Sequence, residues 1–89
     1  MKPTKIVWSK SFADSYITKS RPNRRAIDRA LRMMAEDVHH GSLRTRKMQG
    51  QGDIREAHAT KWQVMTLTVS GTEVRLRACC NHDDVYHHP

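Results

Sequence analysis

Near residue 41 the hydrophobic period of this chain changes, and that change restricts its fold more than any single motif does. Upstream, Ile27, Ala30, Leu31, Met34 and Val38 recur at i, i+3, i+4 spacing, the pattern of a helix with one apolar stripe. Arg24, Arg25, Asp28, Arg29 and Arg32 fall largely outside that stripe. Downstream, Glu73 to Cys80 alternates residue by residue: Val74, Leu76, Ala78 and Cys80 on one face, Glu73, Arg75, Arg77 and Cys79 on the other. Helices in one half and strands in the other predict an α+β domain, with the helices packed on one face of a sheet and the opposite face free to bind.

The boundaries follow from local chemistry. Lys5-Ile6-Val7-Trp8 reads as a short first strand, and Ser11 as the N-cap of a short helix carrying Phe12 and Tyr16. Ser20-Arg21-Pro22 ends that helix and opens the second, where Pro22 is tolerated in the first turn. The second helix is expected to end at His39-His40-Gly41, with Gly41 in the left-handed position and the imidazoles favoured by the helix dipole. Strands are predicted over Leu43 to Met48, Ile54 to Thr60, Trp62 to Val69 and Glu73 to Cys80, with a flexible turn at Gln49 to Asp53 and a tight hairpin at Ser70-Gly71. The expectation is a strand, two helices, then a three- to four-stranded antiparallel sheet.

An 89-residue chain builds one modest core, so residues 1–89 are read as a single domain with 87–89 as a disordered tail. No stretch approaches a membrane span and no signal-peptide apolar region follows the N-terminus, so a cytoplasmic protein without membrane association is expected. Cys79 and Cys80 are adjacent, where a mutual bridge closes a strained ring and staples no loop. Adjacent strand positions also point to opposite faces, which disfavours shared metal ligation, and His39-His40 on a helix do not face each other either. No fixed ligand spacing recommends His82, Asp83, Asp84, His87 and His88 as a metal set. No metal or other cofactor is expected.

The charge is strongly positive, with 16 Lys and Arg against 9 Asp and Glu, a net +7. Residues 1–38 carry nine positive and four negative side chains, 39–60 four and two, and 61–89 three and three, so the excess lies in the first two thirds. Such a surface is the footprint of a polyanion partner, or a solvated face that keeps the chain soluble.

Two histidines stand at strand positions where chemistry is possible. His58 lies on the strand that begins at Ile54, on the face shared by Glu56 and Thr60, and His82 lies just past the last strand. Nearby cations lower an imidazole pKa and keep a neutral base available. Metal-free RNA cleavage needs one group to take the 2′-hydroxyl proton, one to protonate the departing 5′-oxygen, and cations to stabilise the phosphorane. The chain supplies all three, although a histidine on a strand is more often a filler of surface or core.

Taken together, the short strand, the Arg-rich helix pair, Leu43-Arg44-Thr45-Arg46-Lys47-Met48-Gln49-Gly50, Asp53-Ile54-Arg55-Glu56-Ala57-His58 and His82-Asp83-Asp84-Val85-Tyr86 resemble the RelE/ParE toxin superfamily of bacterial toxin–antitoxin systems. The resemblance covers nearly the whole chain. Within it, Arg55-Glu56-Ala57-His58 and the C-terminal His82 to Tyr86 run are similar to the YafQ-like branch. The chain departs from that branch at Arg46, where relatives carry a histidine, and at Lys61-Trp62, where they place an acidic residue. An arginine that many members carry in the fourth strand is also missing, as Trp62 is followed by Gln63.

The resemblance implies a RelE-like fold and a toxin that acts as a ribosome-dependent mRNA endoribonuclease. It implies His58 and His82 as catalytic residues, His82 as general acid and His58 as candidate base, with Arg46, Arg55 and Lys61 as charge stabilisers and Tyr86 as a stacking or orienting group. Arg21, Arg24, Arg25, Arg29, Arg32, Arg44 and Lys47 are the expected RNA-binding cations. Its implied partners are the ribosome, mRNA and a separate cognate antitoxin; alone it is expected to be monomeric, in a higher assembly with antitoxin. A ParE-like inhibitor of DNA gyrase, which needs no histidine pair, is the alternative, and a non-cleaving RNA-binding relative is a third.

Overall fold

The computed structural model describes residues 1–85. Tyr86 and the expected tail at 87–89 lie outside the described residues. The order is β1 (Lys5–Trp8), α1 (Lys10–Ile17), α2 (Arg21–Glu36), a 3₁₀ turn (Gly41–Leu43), β2 (Arg46–Lys47), β3 (Arg55–His58), β4 (Gln63–Ser70), β5 (Glu73–Asn81) and a second 3₁₀ turn (His82–Asp84). The strands form one five-stranded sheet in the order β1-β5-β4-β3-β2. The four later strands are antiparallel, as expected. β1 joins them as a parallel edge beside β5, which makes the sheet mixed.

The helices cover one sheet face. Phe12 of α1 and Ile27, Ala30 and Met34 of α2 bury against Ala57, Met65, Leu67, Val74, Leu76 and Cys79. Val38 joins this core from beyond the end of α2. Full burial of side chains such as Phe12, Ile27 and Met34 is worth roughly 1.5–3 kcal/mol each, so both helices are anchored to the sheet through their apolar faces.

The cap of α1 is Ser9, not Ser11. The Ser9 hydroxyl accepts from the Phe12 N–H at 3.0 Å and donates to the Arg77 carbonyl at 3.1 Å, so it serves the helix and the sheet at once. α2 begins as expected, with the Ser20 hydroxyl accepting from Asn23 N–H and Pro22 in the first turn. It ends earlier than its periodicity suggests, at Glu36, because Asp37 is extended and the chain turns there. Gly41 opens a 3₁₀ turn instead of closing the helix, and the left-handed residue is Arg44, at φ 51. His40 caps that turn, its Nδ1 accepting from Ser42 N–H at 3.2 Å.

β2 pairs over only two residues, against the six predicted, because the 3₁₀ turn takes Leu43 into the core before the strand starts. The loop after it uses Gly50 at φ 76 and Gly52 at φ 63, and the β4–β5 hairpin uses Gly71 at φ 61. These are positions where a β-carbon is disfavoured.

The alternation of β5 breaks at Arg77. Thr66 pairs with Ala78 and Leu67 with Leu76, so Arg77 is the extra residue of a β-bulge. The bulge shifts the phase by one, which puts Cys79 with the helix-side core and Ala78 and Cys80 on the other face, the reverse of the strict alternation. Ser9 Oγ meets the bulge carbonyl, and Ser15 Oγ accepts from Cys79 N–H at 3.0 Å where the β1 ladder has ended.

The face away from the helices is not bare. Met48, Val64 and Val85, with Ile54 and Cys80 against them, form a second small core beneath the Gly50–Gly52 loop and the C-terminal turn. What stays open is the end of that face where β3 and β5 finish. Among the described residues no helix is long and apolar enough to cross a membrane.

Candidate active site

The register brings His58 and His82 together. His58 pairs with Val64, and Val64 pairs with Cys80, so these three form one cross-strand row on the face opposite the helices. His82 follows Cys80 by two residues, which returns a side chain to that same face. The backbone N–H of His82 donates to the Trp62 carbonyl at 2.8 Å, and Val85 inserts into the second core three residues on. A bond between Gln63 Nε2 and the Asn81 side-chain oxygen at 2.7 Å ties the same strand ends together. The two imidazole rings lie 6.2 Å apart, centroid to centroid, with 38° between their planes.

The two rings differ in environment. The His58 side chain is 15% exposed and that of His82 is 52% exposed. Burial pushes the His58 pKa below the usual imidazole value, and Glu56 pulls it back up. His82, Arg46 and Arg44 lower it further, in that order. His58 is therefore neutral at neutral pH and has an accepting nitrogen available. His82 is the open member of the pair, with the Asp83 carboxylate 3.8 Å from its Nδ1.

Glu56 is the residue that the sequence reading missed. Its side chain is only 3% exposed, it accepts from Arg46 Nε at 2.5 Å, and its carboxylate oxygen lies 3.9 Å from His58 Nε2. An isolated carboxylate is costly to bury, so the Arg46 pairing is what allows it to stand beside the imidazole. The signal was its position: Glu56 and His58 are i and i+2 on one strand and therefore share a face. Trp62 is a second residue passed over. It is 61% exposed, beside the site, with Lys61 Nζ 5.2 Å from its ring centroid.

The other expected site residues divide. Arg44 and Lys61 line a cleft with His58, and Arg46 reaches the site through Glu56. Arg55 pairs with Leu67, whose side chain is in the helix-side core, so Arg55 stands on the other face of the sheet and is not brought to the pair. Lys47 pairs with Arg55 and shares that face. Arg21, Arg25, Arg29 and Arg32 are exposed on α2, which covers the face opposite the histidines. Arg24 is partly buried, with Nη1 donating to the Lys19 carbonyl at 2.8 Å. Burial pushes both thiols, Cys79 and Cys80, above the ordinary range, so neither is a ready nucleophile.

No family model matches the sequence, and no curated protein matches it. Solved structures do match. The chain superposes on a structure of the E. coli DinJ-YafQ toxin–antitoxin complex with a TM-score of 0.75 at 10% identity, over 97% of this chain and 99% of that one. The fold is RelE-like. A YoeB/ParE toxin from Agrobacterium tumefaciens matches with a TM-score of 0.70 at 18% identity over 89% of this chain and 99% of that one. The YoeB dimer from Staphylococcus aureus matches with a TM-score of 0.65 at 13% identity over 92% and 99%. The superpositions span most of this chain and nearly all of each of these structures. At these identities the likeness fixes the backbone and leaves the side chains of the site to be argued from their own geometry.

Proposed function

We propose that the chain is the toxin of a toxin–antitoxin system and cuts mRNA on the ribosome by metal-independent acid–base chemistry. The observation that carries this reading is the His58–His82 pair, a partly buried neutral imidazole facing an exposed one across 6.2 Å. One phosphodiester fits between two such groups. His58 takes the proton from the 2′-hydroxyl, whose oxygen attacks phosphorus. The bond to the 5′-oxygen breaks, His82 supplies that oxygen with a proton, and the products are a 2′,3′-cyclic phosphate and a free 5′-hydroxyl. Lys61, in the cleft beside His58, offsets the charge that builds on the phosphorane.

The exposed arginines of α2 lie on the face away from this pair, so they hold a different stretch of RNA from the one being cut. Ribosomal RNA suits that role, and it explains a requirement for the ribosome: the site itself offers few groups to position a substrate. The toxins in the DinJ-YafQ structures are bound to an antitoxin. For this chain the corresponding partner is a separate antitoxin that covers basic surface through an acidic or amphipathic segment ordering on binding. The expected location is the cytoplasm, where ribosomes translate.

The test is to map mRNA 5′ ends after induced expression. Cuts within translated coding regions are expected with the wild type and none with His82→Ala. Intact mRNA together with inhibited supercoiling by purified gyrase sinks this reading in favour of the ParE-like one.

A further inference from the structure

Among the described residues Arg44 is the only non-glycine residue with a left-handed backbone, at φ 51 and ψ 43. The position closes a 3₁₀ turn, where glycine is favoured because it has no β-carbon to clash. The same turn does contain a glycine, Gly41, whose φ is not positive. The chain therefore carries a long cationic side chain at the one place in this segment where the backbone favours none. Strain of this kind collects at ligand clamps.

The Arg44 side chain borders a cleft of about 480 Å³ lined by Ser42, Arg44, His58, Ala59, Thr60 and Lys61. That volume lies within the range of roughly 300–1,000 Å³ typical of small-ligand sites. The Arg44 side chain makes no hydrogen bond or ion pair among the described residues. Thr60 Oγ1 accepts from Trp62 N–H at 3.1 Å and from Gln63 N–H at 3.0 Å. Both of its lone pairs are thus engaged, and its hydroxyl is left to donate. The lining offers a guanidinium, an ammonium and two hydroxyls, and it contains no carboxylate. A cleft of donors suits an oxyanion, and a guanidinium suits a phosphate, whose oxygens it can bind two at a time.

His58 is both a wall of this cleft and a member of the histidine pair. We infer that the cleft is a subsite for the phosphate of the nucleotide flanking the scissile one in single-stranded RNA, and that the left-handed backbone at residue 44 exists to deliver Arg44 to it. This rests on the reading that the histidine pair acts on RNA.

The test measures binding of a 2′-O-methylated hexaribonucleotide, which lacks the nucleophilic hydroxyl, by fluorescence anisotropy across a salt series. Arg44→Ala is expected to weaken binding about tenfold at low salt, the scale of one charge-assisted contact. It should also reduce the slope of log affinity against log salt by about 0.7, the value of one phosphate contact on a single strand. Arg44→Gly, which removes the charge and relaxes the backbone, is expected to bind as poorly as Arg44→Ala and to melt no lower than the wild type. Lys5→Ala, on the strand at the far edge of the sheet, should match the wild type in both affinity and slope. Wild-type affinity and slope in Arg44→Gly overturn the inference, because the residue is then only a turn former. An equal loss in Lys5→Ala overturns it as well, because the effect is then bulk charge. The hexamer cannot be cut, so an absence of mRNA cleavage with an intact Arg44 effect defeats the nuclease reading while Arg44 is still shown to hold an RNA phosphate in the cleft.

Discussion

Glu56 decides more about the site than its place in the sequence suggests. It is a carboxylate buried between a cation and an imidazole, and it opposes the burial that lowers the His58 pKa. In Glu56→Gln that opposition is gone, so the His58 pKa should fall further, read from the ring resonances in an NMR titration. An unchanged or raised value would show that the carboxylate does not act on the imidazole. His58 also links stability to pH. Its folded pKa is depressed, so the folded chain takes up that proton less readily than the unfolded chain does. The His58 contribution is complete above the ordinary value of about 6.5 and is lost as pH falls through it toward the folded value. Urea midpoints between about pH 7.5 and about pH 5.5 should therefore drop less in His58→Gln than in the wild type. An equal drop removes His58 as the group responsible.

Among the elements, the bulge in β5 and the N-terminus of α1 act as one device. Ser9 closes the first turn of α1 and satisfies the carbonyl of the extra residue, Arg77. Ser9→Ala should cost about 1–2 kcal/mol in chemical denaturation, since both a cap and a strand-end bond are lost. Ser11→Ala, at the position the sequence pattern favours, should cost a few tenths of that, as expected for a helix position without a cap. The glycines offer a second contrast. A β-carbon meets nothing within 4 Å at either Gly71 or Gly41, so the two differ only in backbone. Gly71→Ala should destabilise by about 1 kcal/mol because its φ is 61. Gly41→Ala, without a positive φ, should be neutral or stabilise by up to roughly 0.4–1 kcal/mol through the unfolded chain. Equal melting shifts in the two variants would contradict the assignment of the left-handed position to Arg44 instead of Gly41.

For the whole molecule, the sheet separates two chemistries. The exposed arginines of α2 stand on the helical side, and the histidine pair stands on the other. Replacing Arg25, Arg29 and Arg32 together by Ala should reduce co-sedimentation with ribosomes and toxicity in cells. Binding of the short RNA to the cleft should stay at the wild-type level. The three side chains are exposed, so the melting temperature should shift little. Loss of the short-RNA binding in this variant would mean that the two faces serve a single strand of RNA.

The sequence by itself determined the layers, because periodicity is a local property. The apolar stripe on α2, the run of β-branched and large apolar residues in β4, the alternation in β5 and the turn glycines at 50, 52 and 71 each declare their element without reference to anything distant. It also determined that His58 shares a face with Glu56, since that follows from two-residue spacing on a strand. Only the tertiary structure decided which side chains meet. The bulge at Arg77 reversed the faces of Cys79 and Cys80, and an inserted residue leaves no mark in a one-dimensional pattern that looks regular on both sides of it. The early end of α2 came from the turn at Asp37, and Arg44 took the left-handed place that the pattern offers to Gly41. The 6.2 Å between His58 and His82 depends on β4 lying between their strands. Arg55 is excluded from the pair by a register in which it opposes Leu67. Pairing register is a relation between segments far apart in the chain, which is why the candidates could be named from the sequence and their assembly could not.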